Sequence, residues 1–100
     1  MILISTGVST IDEIKKALKL INKYHNKVII LHCISGYPTK ESDMNLNRIN
    51  LLKKTFKNNF IGLSDHTNDI NTSLASIPLG VKLIEKHFKI SSKIKSEDSK

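Results

Sequence analysis

One rhythm constrains this chain more than any other property: four short apolar runs, separated by three segments whose apolar residues recur at helical spacing. The runs are MILIS (1–5), VIILHC (28–33), FIGLS (60–64) and VKLIEKHF (81–88). Between them lie STIDEIKKALKLINKY (9–24), NLNRINLLKKTF (45–56) and NDINTSLASIPLG (68–80). The first of these places Ile11, Ile14, Ala17, Leu18 and Ile21 on one helical face, with Ser9 or Thr10 as the cap before Asp12 and Glu13. The second carries a stripe of Leu46, Ile49, Leu52 and Phe56, and the third ends near Pro78 and Gly80. Runs that are apolar on both faces, as VIIL is, need cover on both sides. Strands alternating with helices over short connections predict an α/β fold: a parallel sheet with right-handed crossovers. An open doubly wound sheet and part of a (β/α)8 barrel both satisfy that description.

The polar residues that interrupt the pattern favour the barrel. Ser5, Thr6 and Gly7, then Ser35, Gly36 and Tyr37, then Ser64, Asp65 and His66, then Glu85 and His87 all fall at the C-terminal ends of the runs. Barrel enzymes build their sites on that rim. Because strand side chains alternate, Ser64 and His66 share one face of the third strand, and Glu85 and His87 share one face of the fourth. Aimed at a barrel axis from adjacent strands, the two imidazoles would converge on one ion. Neutral imidazoles with an oxygen donor or water suit a borderline divalent metal such as Mn²⁺ or Zn²⁺. Spacing alone leaves a blander reading open, in which His66 caps a turn and His87 merely ends a strand. No HExxH-type helix and no third ligand stands beside them.

Composition excludes more than it assigns. The net charge is +7, yet fifteen of the sixteen basic residues are lysines spread along the chain, leaving Arg48 alone to form a guanidinium fork. With five aromatic residues and no tryptophan there is little for base stacking, so no nucleic-acid partner is expected. Lys15, Lys16, Lys19 and Lys23 read as the wet face of the first helix. No apolar run approaches the roughly 20 residues of a spanning helix, so no membrane partner is expected. The single cysteine, Cys33, cannot form an internal disulfide, and MILIS has no basic leader before it; a cytoplasmic location is the expectation.

STGVST (5–10), LHCISGYPTKESDMNLN (31–47), IGLSDHT (61–67) and LGVKLIEKHF (79–88), in this order and at these separations, resemble the sialic acid (N-acetylneuraminate) synthase family, including its bacterial relatives that make pseudaminic and legionaminic acids. The resemblance covers nearly the whole chain. It implies a metal-dependent condensation of phosphoenolpyruvate with the open-chain aldehyde of an N-acetylated amino sugar, giving a nine-carbon 2-keto acid and phosphate. The family's catalytic domain is a (β/α)8 TIM barrel followed by a small antifreeze-like domain that reaches into the partner subunit's site, so the full-length enzyme is expected to be a homodimer. This chain matches the second half of that barrel, strands five to eight. Residues 1–88 would supply the four strands and residues 89–100 a polar active-site loop or tail.

Carried over position by position, the resemblance implies that His66 and His87 hold the metal, Mn²⁺ first, with Mg²⁺ or Co²⁺ as alternatives. Glu85 matches a glutamate with a general acid/base role. Ser5, Ser35 and Ser64 match strand-end positions that hold the phosphoenolpyruvate carboxylate or phosphate. Tyr37 would wall the sugar pocket, and Asp98 would bind sugar hydroxyls. The chain departs from the family pattern at KIKSEDSK (93–100), which replaces a PGPDH-like segment, and at Lys40, where proline is usual. The first departure favours a bacterial nonulosonate over sialic acid itself, and Lys40 receives no role.

Other reactive residues read as structural. His32, of opposite parity to Cys33 and Ser35, is expected as a hydrogen-bonded core histidine, and His25 as a solvated turn residue. Cys33 has no paired base. A half barrel would also leave the face carrying Leu3, Ile29, Leu31, Phe60, Leu63 or its neighbours, and Leu83 without its opposite wall, and would present unpaired strand edges. Such a chain is expected to be marginally stable, to self-associate or aggregate, and to lack turnover by itself. Two other classes of function share these features: a module that holds a sugar or phosphorylated ligand at the rim without turnover, and an inert remnant.

Overall fold

The computed structural model describes residues 1–91 and 93. Its elements are β1 (Ile2–Ser5), α1 (Ile11–Ile21), β2 (Val28–Cys33), α2 (Asn47–Thr55), β3 (Phe60–Asp65), α3 (Asn71–Ser76) and β4 (Ile84–Lys86), with single 3-10 turns at Glu41–Asp43 and Ile77–Leu79. The four strands are parallel and lie in the spatial order β1-β2-β3-β4. Ile14 and Leu18 of α1 and Ile49, Leu52 and Phe56 around α2 pack on one side of the sheet, against Val28, Ile30 and Ile61. The third helix meets the same side, where Ser73 bonds Asp65. A doubly wound sheet reverses its strand order and covers both faces with helices. An unreversed order with helices on one face is how successive βα units run around a barrel wall.

Local chemistry explains the element ends. Thr10 rather than Ser9 caps α1: its Oγ1 accepts the Glu13 N–H at 3.3 Å, and Glu13 Oε2 accepts the Thr10 N–H at 2.7 Å. The Thr10 backbone donor, then its hydroxyl, hold the Glu13 carboxyl below the usual range. Ala17 lies at the edge of the apolar stripe and is exposed, so Ile14 and Leu18 carry the burial of this helix. The third helical segment is shorter than its periodicity suggests. Asp69 Oδ1 accepts the Asn71 N–H at 2.9 Å, which starts α3 there. Pro78 has no N–H to continue the α-helical ladder, and the segment closes in a 3-10 turn capped by Gly80 at φ 84°, a left-handed conformation natural to glycine.

The fourth strand is also shorter than the run 81–88. Its ladder stops at Lys86 because β3, its partner among the described residues, stops at Asp65, the register mate of Lys86. Ahead of that ladder, pairing continues through Lys82 N–H to Ile61 O (2.8 Å) and Leu63 N–H to Leu83 O (2.9 Å).

The concave face, opposite the helices, differs from expectation in two respects. Leu63 alternates with Ser64 and therefore joins Ile61 on the helix side, where it is fully buried. Ile29 and Leu31, expected to be uncovered, are 8% and 0% exposed, while Leu3 and Phe60 are 40% and 64% exposed. Gly62 supplies the reason. A Cβ at that position would stand 2.5 Å from Leu31 Cδ2 and 2.7 Å from Leu83 O, so the missing side chain is the space into which Leu31 folds. The apolar opening is thus confined to the outer strand and the N-terminal strand ends, where Met1, Val28, Ile29, Asn59 and Phe60 line a cleft of about 430 Å³. That cleft lies at the far end of the strands from the histidines.

Candidate functional site

The C-terminal ends of β3 and β4 carry their polar residues in matched pairs. Ser64 is the register partner of Glu85 and Asp65 that of Lys86, so His66 and His87 follow side by side. Their ring centroids are 5.2 Å apart with the planes at 77°. The Tyr37 ring packs on both, 5.2 Å from His66 and 4.4 Å from His87. Tyr37 arrives there because its loop is tied to the same strand end: Thr39 N–H donates to His66 O at 2.9 Å, beyond a cis Tyr37–Pro38 peptide. A second tie, Thr39 Oγ1–H to Gly36 O, closes that turn.

Hydrogen bonding fixes the tautomer of His66. Nδ1 lies 2.8 Å from Ile34 O, and a carbonyl only accepts, so Nδ1 carries a proton and, in the neutral ring, Nε2 bears the lone pair. The neighbours of Nε2 are Ser64 Oγ at 3.4 Å and Cys33 Sγ at 4.0 Å. Ser64 directs its hydroxyl hydrogen to Glu85 Oε1 at 2.6 Å, and Cys33 directs its thiol toward Ile34 O at 3.6 Å. Neither hydrogen is therefore aimed at Nε2, whose lone pair remains available. A histidine with one ring nitrogen tied to a backbone carbonyl and the other bare is the usual state of a metal-ligating imidazole.

Of the residues singled out from the sequence, the structure brings Tyr37, Ser64, His66, Glu85 and His87 together. Ser5, at the end of β1, and Ser35, two residues beyond the end of β2, stand on the same rim and are exposed. Ser35 lies beside Gly7, where a Cβ would come 2.6 Å from the serine Oγ. Asp98 lies outside the described residues. His32 is fully buried, with Nε2 at 2.6 Å from Met44 O. Burial pushes its pKa down and the charge of Arg48 acts the same way, against the opposing Met44 bond. His25 is exposed.

Two polar residues of the strand ends were not singled out from the sequence as acting together. Asp65, fully buried on the helix side, accepts from Thr67 N (2.9 Å), Thr67 Oγ1 (2.7 Å), Ser73 Oγ (2.5 Å) and Lys86 Nζ (3.0 Å). Burial pushes its carboxyl up, but the bonds from Ser73, Thr67 and Lys86 outweigh it and hold the group below the usual range. A signal for the pair exists in the sequence: Ser64 to Glu85, Asp65 to Lys86 and His66 to His87 share one separation of 21 residues.

Known proteins resemble this chain over nearly its whole length. It is 44% identical over 98 residues to an uncharacterised protein of Methanocaldococcus jannaschii, a match that covers 97% of this chain and 29% of the relative. It is 41% identical over 99 residues to a pseudaminic acid synthase of Campylobacter jejuni, covering 98% of this chain and 29% of the synthase. Among solved structures, the N-acetylneuraminic acid synthetase of Leptospira borgpetersenii superposes with a TM-score of 0.89 at 34% identity, over 97% of this chain and 34% of the synthetase chain. The chain thus spans under a third of the length of the curated relatives it matches. The NeuB family model matches residues 1–100, IGLSDHT and IEKHF with their paired rings included, and the chain belongs to the NeuB family.

Proposed function

We propose that this chain forms strands five to eight of a nonulosonic acid synthase barrel and contributes one wall of its active site. The reaction is condensation of phosphoenolpyruvate with the open-chain aldehyde of an N-acetylated amino sugar, giving a nine-carbon 2-keto acid and releasing phosphate. The observation that carries this reading is the convergence of His66, His87 and Tyr37 at adjacent strand ends, with His66 Nδ1 tied to the Ile34 carbonyl. Membership of a family whose relatives include synthases of pseudaminic acid supports it.

His66 and His87 would hold a divalent cation, Mn²⁺ before Mg²⁺ or Co²⁺. Among the described residues no group of three or more His, Cys, Asp and Glu side chains is placed to hold an ion by itself. Substrate oxygens or water would complete the coordination. A bound cation supplies Lewis acidity at the aldehyde oxygen. Glu85, already bonded to the Ser64 hydroxyl, is the carboxylate at hand to accept or return a proton as water adds at carbon 2. Ser35 and Ser5 would offer neutral hydroxyl donors to the carboxylate or phosphate of phosphoenolpyruvate, Ser64 would do so by turning its hydroxyl from Glu85, and Tyr37 would stand as an aromatic wall for the sugar. Asp98 would reach the sugar hydroxyls, and the altered segment around it points to a bacterial nonulosonate precursor. The complete enzyme would act as a homodimer in the cytoplasm. Among the described residues no helix is long and apolar enough to cross a membrane.

The test joins this chain to the remaining segments of a Campylobacter jejuni pseudaminic acid synthase and follows phosphate release from phosphoenolpyruvate and an N-acetylated amino sugar with Mn²⁺. Release should depend on metal and fall by about 10²–10⁴-fold in Glu85→Gln. The 100-residue chain alone should release none. A folded chimera without metal-dependent release, or full activity in Glu85→Gln, would overturn the assignment.

A further inference from the structure

The paired rings stand on the concave face, but what holds them together lies behind it. Three register pairs join β3 to β4, namely Leu63–Ile84, Ser64–Glu85 and Asp65–Lys86, with two backbone bonds from Lys82 and to Leu83 ahead of them. The last two pairs are bridged by side chains on opposite faces of the sheet. Ser64 Oγ donates to Glu85 on the concave side at 2.6 Å, and Lys86 Nζ donates to Asp65 on the helix side at 3.0 Å. The second bridge also grips the backbone around His66. Asp65 accepts the Thr67 N–H at 2.9 Å, and Lys86 Nζ donates to Thr67 O at 2.8 Å. Both polar groups of Thr67 that follow His66 are thereby tied to the residue before His66 and the residue before His87. The ion pair is sheltered, Asp65 having no exposed side-chain surface and Lys86 26%.

We infer that Asp65 and Lys86 are positioning residues whose bond across the back of β3 and β4 fixes the separation of the His66 and His87 rings. A three-residue strand with one neighbour among the described residues is weakly specified by backbone pairing, and a slip of one residue would send His87 to the helix face. Replacing one member leaves the other as a buried charge without its partner, which a low-dielectric interior penalises strongly. Asp65 further joins α3 to the strand end through Ser73, so displacement of α3 reaches the rings by the same carboxylate. The inference rests on the metal-site reading only for its consequence in catalysis; the geometry it explains is a property of the chain itself.

The experiment labels the histidines of the full chain and reads the ring-proton nuclear Overhauser contact between His66 and His87 without metal, alongside cross-strand contacts between β2 and β3. The wild-type chain should show the ring contact. Lys86→Met should lose it while the β2–β3 contacts persist. Should that variant unfold, Asp65→Asn/Lys86→Met, which leaves no stranded charge, replaces it with the same expected loss. An undiminished ring contact in whichever variant folds would overturn the inference, as would its absence in the wild type. Mn²⁺ titration of the same samples should show affinity weakened at least tenfold in the variant. A wild-type chain with the ring contact but no Mn²⁺ binding would sink the metal reading and leave the positioning role standing.

Discussion

Gly62→Ala is the sharpest perturbation the structure offers. The added methyl would meet Leu31 Cδ2 at 2.5 Å and the backbone oxygen of Leu83 at 2.7 Å. The leucine is fully buried, and protein interiors are close-packed. The Leu83 oxygen is less yielding still, since it accepts the Leu63 N–H at 2.9 Å and moving it opens the junction of β3 and the segment leading into β4. Overpacking costs about 1–3 kcal/mol in general, and a clash with backbone belongs in the upper part of that range, about 2–3 kcal/mol. For a domain of this size that is a fall in Tm of roughly 10–20 °C. Urea unfolding of wild type and variant, followed by far-UV circular dichroism, measures it directly. A variant whose midpoint matches wild type would show that β3 and β4 do not pack as described.

Other perturbations reach different parts of the chain. His32 is buried with a depressed pKa, so the unfolded chain binds its proton first; stability should fall as pH drops below about 6.5, with a slope of up to about 1.4 kcal/mol per pH unit for this one group. His32→Gln should flatten that slope, and an unchanged pH profile would contradict the assignment. Thr10→Ala, which removes one half of the capping box, should cost about 1 kcal/mol in chemical denaturation. The exposed concave residues Leu3 and Phe60 should drive self-association of the isolated chain, and Phe60→Lys should shift sedimentation toward monomer; a strictly monomeric wild type would remove the reason for a missing wall.

Much of this was legible in the residues because alternation and helical spacing are local. VIILHC reads as a doubly buried strand and is one, and the stripe Leu46, Ile49, Leu52, Phe56 is the core face of α2 and its flanks. The clustering of His66 with His87 followed from parity at two strand ends. What periodicity does not carry is the third dimension of the sheet. Packing across neighbouring strands, with Gly62 making room for Leu31, buries residues that a reading of single strands leaves exposed. The end of β4 depends on where its partner stops, and the Asp65–Lys86 bond depends on register. Each of these belongs to pairs of elements rather than to a single segment.

The central claim is that His66 and His87 jointly hold one metal ion. Electron paramagnetic resonance of Mn²⁺ titrated into the chain, joined to the remaining segments of a related synthase, addresses it most directly. The expected result is a single tight site whose spectrum shows nitrogen coupling from two imidazoles, one of which disappears in His66→Ala and the other in His87→Ala. Unchanged Mn²⁺ affinity and coupling in both variants would place the metal elsewhere and contradict the claim.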